Sequence, residues 1–450
     1  MTALTNPRDR RPATELSVDV LVVGGAAAGL AAACTTGRKG LNVLLLERYG
    51  FCGGAAVAGF SGTVCGLFPA RQGAVGEPEK IIGGFVDDFI RAMRSRGGLT
   101  DPVRYGETYT LVHEPLAWRE SADELLAAAN VRVLFHTTVI SVHVDGSERI
   151  EGVRAYTKQG MFDIRAKLTT DASGDADVFA MAGLPTKVGQ DGRVQNPTMI
   201  FRLAGVDVAR FLDEYGSDSI RRHQVTEEIL AANTNGAYTL PRAKIFLFPT
   251  PRRDELLCNC TRILGADGRE LNPLIAADFT EAEVMGRRQA REYARFFKDR
   301  LAGCEHAYLN DTGVQVGVRQ TRQIVGTALL RNEDVVGGAK RLDAIARSPW
   351  PIELHAGAKP RVSWLYDDYY EIPLGCFIPP TGEGLLAAGR CLSAEHEAMA
   401  SARVTAQCFS HGHAIGHAAT LAVREGLGMR DIPVSNVRAR LINEGALLDA

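Results

Sequence analysis

The chain has no excess of charge of either sign: 51 Lys and Arg stand against 53 Asp and Glu, a net charge of −2 at pH 7. A field that balanced gives no pull toward nucleic acid or an anionic membrane surface, so a polyanion-binding function is disfavoured. Long apolar runs are also lacking. Stretches such as Val18–Gly25 and Gly384–Gly389 fall far short of the roughly 20 residues a membrane-spanning helix needs, and no span is expected. There is no Cys-x-x-Cys pair and no cysteine run, which argues against a disulfide reductase and an iron–sulfur protein. The nine cysteines are odd in number and scattered, a poor disulfide framework, and they point to a reducing, cytoplasmic setting. Arg8, Arg10 and Arg11 are followed by no apolar h-region, so residues 1–16 read as a loose tail rather than a signal peptide. Internal repeats and low-complexity tracts are missing too.

What is present is an ordinary globular composition, 46% hydrophobic and 23% charged, long enough at about 150 residues per domain for two or three domains. β-Branched Val18–Val23, helix-forming Ala27–Arg38 and apolar Asn42–Leu46 make a βαβ start with a parallel sheet. A helix over Pro115–Asn130 leads to strand-like Val131–Phe135, Val139–Val144, Gly152–Tyr156 and Met161–Thr169, a pattern suited to an added β-meander. Between about 183 and 311 the pattern becomes mixed, with strands Met199–Leu203, Lys244–Phe248 and Leu256–Ile263 and helices Val208–Tyr215 and Glu281–Leu301. The expected fold is therefore α/β. A Rossmann-like domain over 17–182 is completed by 312–430, around a mixed α+β substrate domain over 183–311, with a C-terminal helix in 431–450.

The densest chemical signal is Val20–Gly29, a buried strand entering a helix through tiny residues. Gly24, Gly25, Ala26, Ala28 and Gly29 would let backbone approach a pyrophosphate at the helix N-terminus. Ala26 stands where the middle glycine of G-x-G-x-x-G is expected, and Gly25 is the expected source of compensating flexibility. A second strand ends at Glu47, close to where a ribose-binding acid falls in such a unit. A further pair, Gly53-Gly54, follows Glu47-Arg48 and suggests a cofactor that continues along the chain past its pyrophosphate.

These features, with Asp171–Asp177, Gly317-Val318-Arg319, Arg322, Ala388–Cys391 and Ala394–Arg403, resemble the FAD-dependent oxidoreductases of the glutathione-reductase-like, two-dinucleotide-binding-domain superfamily, over about Ser17 to Gly426. The resemblance implies FAD as cofactor. It implies that Glu47 accepts from the adenosine ribose, that the backbone of Val139 reads the adenine edge, and that Arg48, Gly53, Gly54 and Ala55 line the cofactor path. Ala172, Ser173, Gly174 and Asp177 would form a second contact, and Gly389-Arg390 would pass beneath the ribityl chain, with Arg403 nearby. A helix start near Gly412–Gly416, including Ile415, would direct its dipole at the flavin N1/O2 edge.

For the chemistry, Arg319 and Arg322, read as one helical face, could clamp a carboxylate or pair with an acid such as Glu371. His396 is a candidate general base beside Glu397, or a satisfied structural histidine. Tyr370 could orient substrate or pack at a domain seam. Cys52 could be a redox partner or flavin tether, or a small core hydrophobe. No metal is expected, although His411, His413 and His417 form the most tempting set. The function expected is hydride removal from a small organic substrate, as in a dehydrogenase or oxidase. A flavin monooxygenase or NAD(P)H-driven reductase, and a non-catalytic flavin-binding protein, remain alternatives. The electron acceptor, O2 or another carrier, and homo-oligomerisation stay open.

Overall fold

The β-branched opening run becomes the centre of a parallel sheet. The computed structural model describes residues 14–74, 76–220, 224–354 and 361–448. In it Thr14–Val23 is the first strand, Ala27–Arg38 the first helix and Val43–Leu46 the second strand. The expected tail lies outside the described residues up to position 13. Thr14–Leu16 already pair in parallel with Phe162–Ile164, because the partner strand Gly160–Asp171 is long enough to extend the ladder past Ser17.

Seven strands form the main sheet. Its order is Arg132–Leu134, Val43–Leu46, Thr14–Val23, Gly160–Asp171, Ile150–Thr157 and Thr138–Val144, with Leu385–Ala387 also paired to Gly160–Asp171. The strands around Thr14–Val23 are parallel and the last three form an antiparallel meander. Val20, Leu21, Val22, Leu44 and Leu45 are all buried rather than alternating, the pattern of a parallel sheet covered on both faces. Each such side chain contributes roughly 1.5–3 kcal/mol of burial. The fold is thus α/β with a Rossmann-like core, as the sequence leads one to expect.

Antiparallel strands Phe246–Pro249, Glu255–Asn259, Phe201–Ala204 and Tyr308–Thr312 make a second sheet. Helix Ala276–Arg300 presents Tyr293, Phe296 and Phe297 to its core. Two features depart from the expected organisation. The strands Thr63–Val64, Val103–Tyr105 and Thr108–Val112 form their own sheet, and Cys65, Tyr105 and Val112 share a core with Ile200, Phe246 and Phe248. The stretch after 312 adds the antiparallel pairs Ala344–Ser348 with Tyr370–Pro373 and Ile352–Leu354 with Arg361–Ser363, besides its single strand in the main sheet. Of the expected C-terminal helix, Val434–Asn443 is helical, and 449–450 lie outside the described residues. Among the described residues no helix is long and apolar enough to cross a membrane.

Candidate active site

Strands Thr14–Val23, Val43–Leu46, Gly160–Asp171 and Leu385–Ala387 run parallel and end at one edge, where open α/β sheets bind ligands. A cavity of about 230 Å³ opens there, against about 10 Å³ for each of two smaller clefts. Its first part is a backbone cradle. Gly24 has φ +98°, and a Cβ there would stand 2.8 Å from Ala172 C and 3.0 Å from Ser173 N, so strand, turn and the Ala172–Gly174 loop meet with no room for a side chain. Ala26 is the N-cap of the first helix and supplies no side-chain cap. The first intrahelical bond runs from Leu30 N to Ala26 O at 2.8 Å, which leaves the preceding N–H groups and the positive helix end facing the cavity lined by Ala26, Ala27 and Ala28. Gly29 packs its α-carbon on the Gly24 carbonyl.

The alanine at the middle glycine position is accommodated by a different residue from the one expected. Gly25 has no left-handed backbone; its N–H donates to Glu47 Oε2 at 2.7 Å. Gly54 makes the room, since a Cβ on it would lie 2.6 Å from Ala26 Cβ. Glu47, 5% exposed, also accepts from Tyr49 N at 3.0 Å. Burial pushes its carboxyl up, against the pull of these N–H donors. Each oxygen keeps a lone pair for a further donor. Thr137 N bonds Glu47 O, so the strand carrying Val139 begins beside this acid. Val139 itself is half-buried and does not line the cavity.

Further along, Arg48, Gly53, Gly54, Ala55, Ala172, Ser173 and Gly174 line the same cavity, as do Gly389, Arg390 and Arg403. Within the Asp171–Asp177 tract the three acids do different things. Asp171 turns inward and accepts from Ser173, Val178 and Phe179 N–H groups, while burial raises its carboxyl to about 6. Asp175 pairs with Arg390 at 2.9 Å and accepts from Thr321 Oγ1 at 2.6 Å. Asp177 pairs with Arg322 rather than facing the cavity.

The far part of the cavity is a chamber. Tyr105, Phe248, Ile200 and Trp350 supply apolar wall, and Arg319, Arg403, Asn259 and Glu353 supply polar groups. Tyr105 donates to Glu353 Oε1 at 2.7 Å; burial and that adjacent carboxylate hold its hydroxyl protonated. Cys65 and Cys408 also line the chamber, and burial raises both thiols to about 12, which leaves no thiolate for nucleophilic or disulfide chemistry at neutral pH.

Of the four catalytic candidates from the sequence, Arg319 alone lines the cavity. Arg319 and Arg322 do not share a helical face: 317–321 is irregular and Arg322–Ile324 is a strand. Glu371 is engaged by Arg347 and by the Arg341 N–H. His396 stands off the cavity; burial lowers its pKa, and its carbonyl accepts from Gln195 Nε2, whose Oε1 accepts from Arg403. Its visible effect is thus to position Arg403. Glu397 pairs with Arg361 at the surface, and Tyr370 is a core residue bonded to Ser401. Tyr105, Glu353, Asn259 and Trp350 escaped the sequence reading, and only the alternation Ile352-Glu353-Leu354, an acid between two apolar residues, hinted at one of them.

The helix near Gly412 also starts elsewhere. It spans Thr405–Glu425, so Thr405 and Val404, at its N-terminus, line the cavity, and Gly412 and Ile415 are buried mid-helix. Gly412 and Gly416, four apart, instead let this helix press on Ala28, Ala31 and Thr35 of the first helix. His411 packs on Phe377, away from His413 and His417, which both meet Glu444 Oε2, at 2.9 and 3.1 Å. The three ligand-type groups lie within 4.8 Å of one another. Lys39 also binds Glu444, and the Phe85 N–H donates to His413 Nδ1, which puts the His413 proton on Nε2 toward the carboxylate. The cluster reads as a charged latch between helices. Cys52 is buried beneath Gly25 with its thiol pushed far up by burial.

Strand, glycine turn, uncapped helix and acid together define a dinucleotide-binding α/β fold, and the cradle has the uncapped N–H groups, the side-chain-free walls and the acid that FAD requires. The chain belongs to the FAD dependent oxidoreductase family, whose profile matches residues 19–441. No curated protein matches it. Solved structures it is similar to include a geranylgeranyl bacteriochlorophyll reductase-like protein from Thermoplasma acidophilum (15% identity, 96% of this chain and 84% of that one, TM-score 0.48). Another is the p-nitrophenol 4-monooxygenase PnpA from Pseudomonas putida DLL-E4 (13% identity, 96% and 86%, TM-score 0.47).

Proposed function

We infer that this FAD-dependent oxidoreductase is of the dehydrogenase or oxidase type and removes a hydride from a small organic substrate. We include in this reading its placement in the glutathione-reductase-like superfamily, with 17–182 and 312–430 as the cofactor-binding part and 183–311 as the substrate part. The observation that carries it is the cavity that runs from the Gly24–Ala28 cradle into the chamber of Tyr105, Glu353, Arg319 and Trp350, a continuous space that would serve cofactor and substrate together. When bound, FAD supplies a hydride acceptor at N5.

The chain's residues would do the rest. Ala26–Ala28 N–H groups and Arg390 would hold the pyrophosphate, Glu47 the ribose and Val139 the adenine edge. The start of helix Thr405–Glu425, where the Ala406 N–H already meets the Cys65 carbonyl, would face the isoalloxazine. Glu353, the one carboxylate among the described residues lining the cavity, would take the substrate's proton, with Tyr105 donating to it. Phe248, Ile200 and Trp350 would exclude water.

The test is to purify the protein, record its visible spectrum, and screen small alcohols, amines and hydroxy acids anaerobically for bleaching of the yellow band. Bleaching by one of these, with none by NADPH, supports the reading. Bleaching by NADPH alone overturns it in favour of a monooxygenase or reductase. No bleaching by any of them leaves the flavin-binding reading in its place.

A further inference from the structure

Several arginines held in the interior of this protein sit against carboxylates. Arg202 pairs with Glu114 and Glu255, Arg347 with Glu371, and Arg390 with Asp175. The two guanidinium groups of the chamber have no such partner. Arg319, 6% exposed, donates from Nη1 to the Asn196 carbonyl at 2.7 Å. Arg403 donates from Nη2 to the Gln195 amide oxygen at 3.2 Å, and its Nε is buried without a partner. Among the described residues neither has a carboxylate within ion-pairing reach. A third, Arg242, lies fully buried behind the wall, bonded to the Lys244 carbonyl and to Asn259 Oδ1. Burial, and the proximity of Arg403 and Arg242, push the Arg319 guanidinium well below its usual range, and burial brings Arg403 to about 10. Since arginine does not deprotonate in practice, these directions mark charges held at a cost that a bound anion would offset.

We propose that the chamber binds a small monocarboxylate with an apolar body, its carboxylate held by Arg319 and Arg403. Arg319 and Arg403 both line the chamber, and neither is matched there by an ion-paired carboxylate among the described residues, so a negative charge on the substrate would meet two cations. Asn259 supports the same orientation. Its Oδ1 already accepts from Arg242 Nη1 at 3.1 Å and Thr198 Oγ1 at 3.4 Å, so its NH2 group is the one left to donate. Phe248, Ile200 and Trp350 match a hydrocarbon or aromatic body and not a hydrated inorganic anion or a sugar phosphate. With the carboxylate at the arginines, the Tyr105–Glu353 pair is left for the reacting carbon. Arginine, with its planar fork, is the side chain suited to this recognition.

The inference rests on the reading of the chamber as the substrate side of a flavin site, and the two can fail separately. The holoprotein is titrated at equilibrium with benzoate, with its neutral isostere benzamide, and with inorganic phosphate. Perturbation of the flavin absorbance and titration calorimetry report binding, and neither needs turnover. Benzoate is expected to bind at least tenfold more tightly than benzamide. Arg319→Gln and Arg403→Gln are each expected to weaken benzoate at least tenfold and to leave benzamide unchanged, while Arg319→Lys falls between and the surface control Arg287→Gln has no effect. Ligand-free Arg319→Gln should melt no lower than the parent, since it removes an unpaired buried charge; a purely structural arginine would give the opposite. Benzamide binding as tightly as benzoate, or Gln variants that keep benzoate affinity, overturns the proposal. Phosphate binding with the same arginine dependence overturns the carboxylate assignment. If the Gln variants do not fold, the benzoate-to-benzamide ratio of the parent and of Arg403→Lys decides. A protein that stays colourless with FAD refutes the flavin reading instead.

Discussion

Gly412→Ala separates a helix-packing role from a flavin-facing one. In the interior of a regular helix, alanine should be favoured over glycine by about 0.5–1 kcal/mol. Here the added methyl would stand 2.8 Å from Ala31 Cβ and from Ala28 C, and closer still to the Ala28 carbonyl oxygen. Ordinary contact is 3.4–4 Å, so the two helices must part by roughly 1 Å, an overpacking that costs about 1–3 kcal/mol. The contact partner is backbone and cannot swing aside, so the clash outweighs the propensity gain and a net loss of about 1–2 kcal/mol is expected. Because Ala28 also lines the cradle, the same displacement should weaken FAD. Urea unfolding monitored by circular dichroism gives the first number, and FAD retained after gel filtration gives the second. Gly146→Ala, where nothing lies within 4 Å of the added Cβ, is the neutral control. A Gly412→Ala protein as stable as the parent, with full FAD, would refute the packing argument.

Glu47→Gln replaces one of the two oxygens that accept from Gly25 and Tyr49, leaving a buried N–H opposed by an NH2 group; about 1–3 kcal/mol of stability should be lost, and FAD affinity with it, as read by absorbance after dialysis. His113 and His411 are fully buried, and burial lowers both to about 3. The unfolded chain binds their protons from about pH 6.5 and the folded one only near 3, so their contribution is present above 6.5 and is lost as pH falls through that window, about 2 kcal/mol each at pH 5. His411→Leu should therefore flatten the loss of melting temperature between pH 6.5 and 5; an unchanged slope would count against it. Eight of the nine cysteines are buried and Cys408 is half-buried, so a thiol reagent at pH 8 should modify fewer than one thiol per folded chain, and all nine in denaturant.

The sequence by itself determined the cofactor half. A pyrophosphate cradle is made by backbone over a few consecutive residues, so Val20–Gly29, Glu47 and Gly53-Gly54 are local signals, and the strand ending at Asp171 continues the same sheet. Residue type alone was enough because the chemistry lies in what those residues lack: side chains. It was less informative where a glycine has two uses. Gly412 and Gly416 read as a helix start and serve a helix crossing, and only the partner helix distinguishes the two. Nor could it assemble the chamber. Tyr105, Asn259, Arg319, Glu353 and Arg403 come from five separate stretches of chain, and a buried arginine pairs or stays unpaired according to which acids the fold places beside it. His396, Glu397 and Tyr370 looked chemical by their proximity in sequence to Gly389-Arg390, yet helix His396–Ala402 and strand Tyr370–Pro373 turn them toward core and surface. Local backbone fixed where a dinucleotide can lie; long-range packing alone decided which charges face what lies beside it.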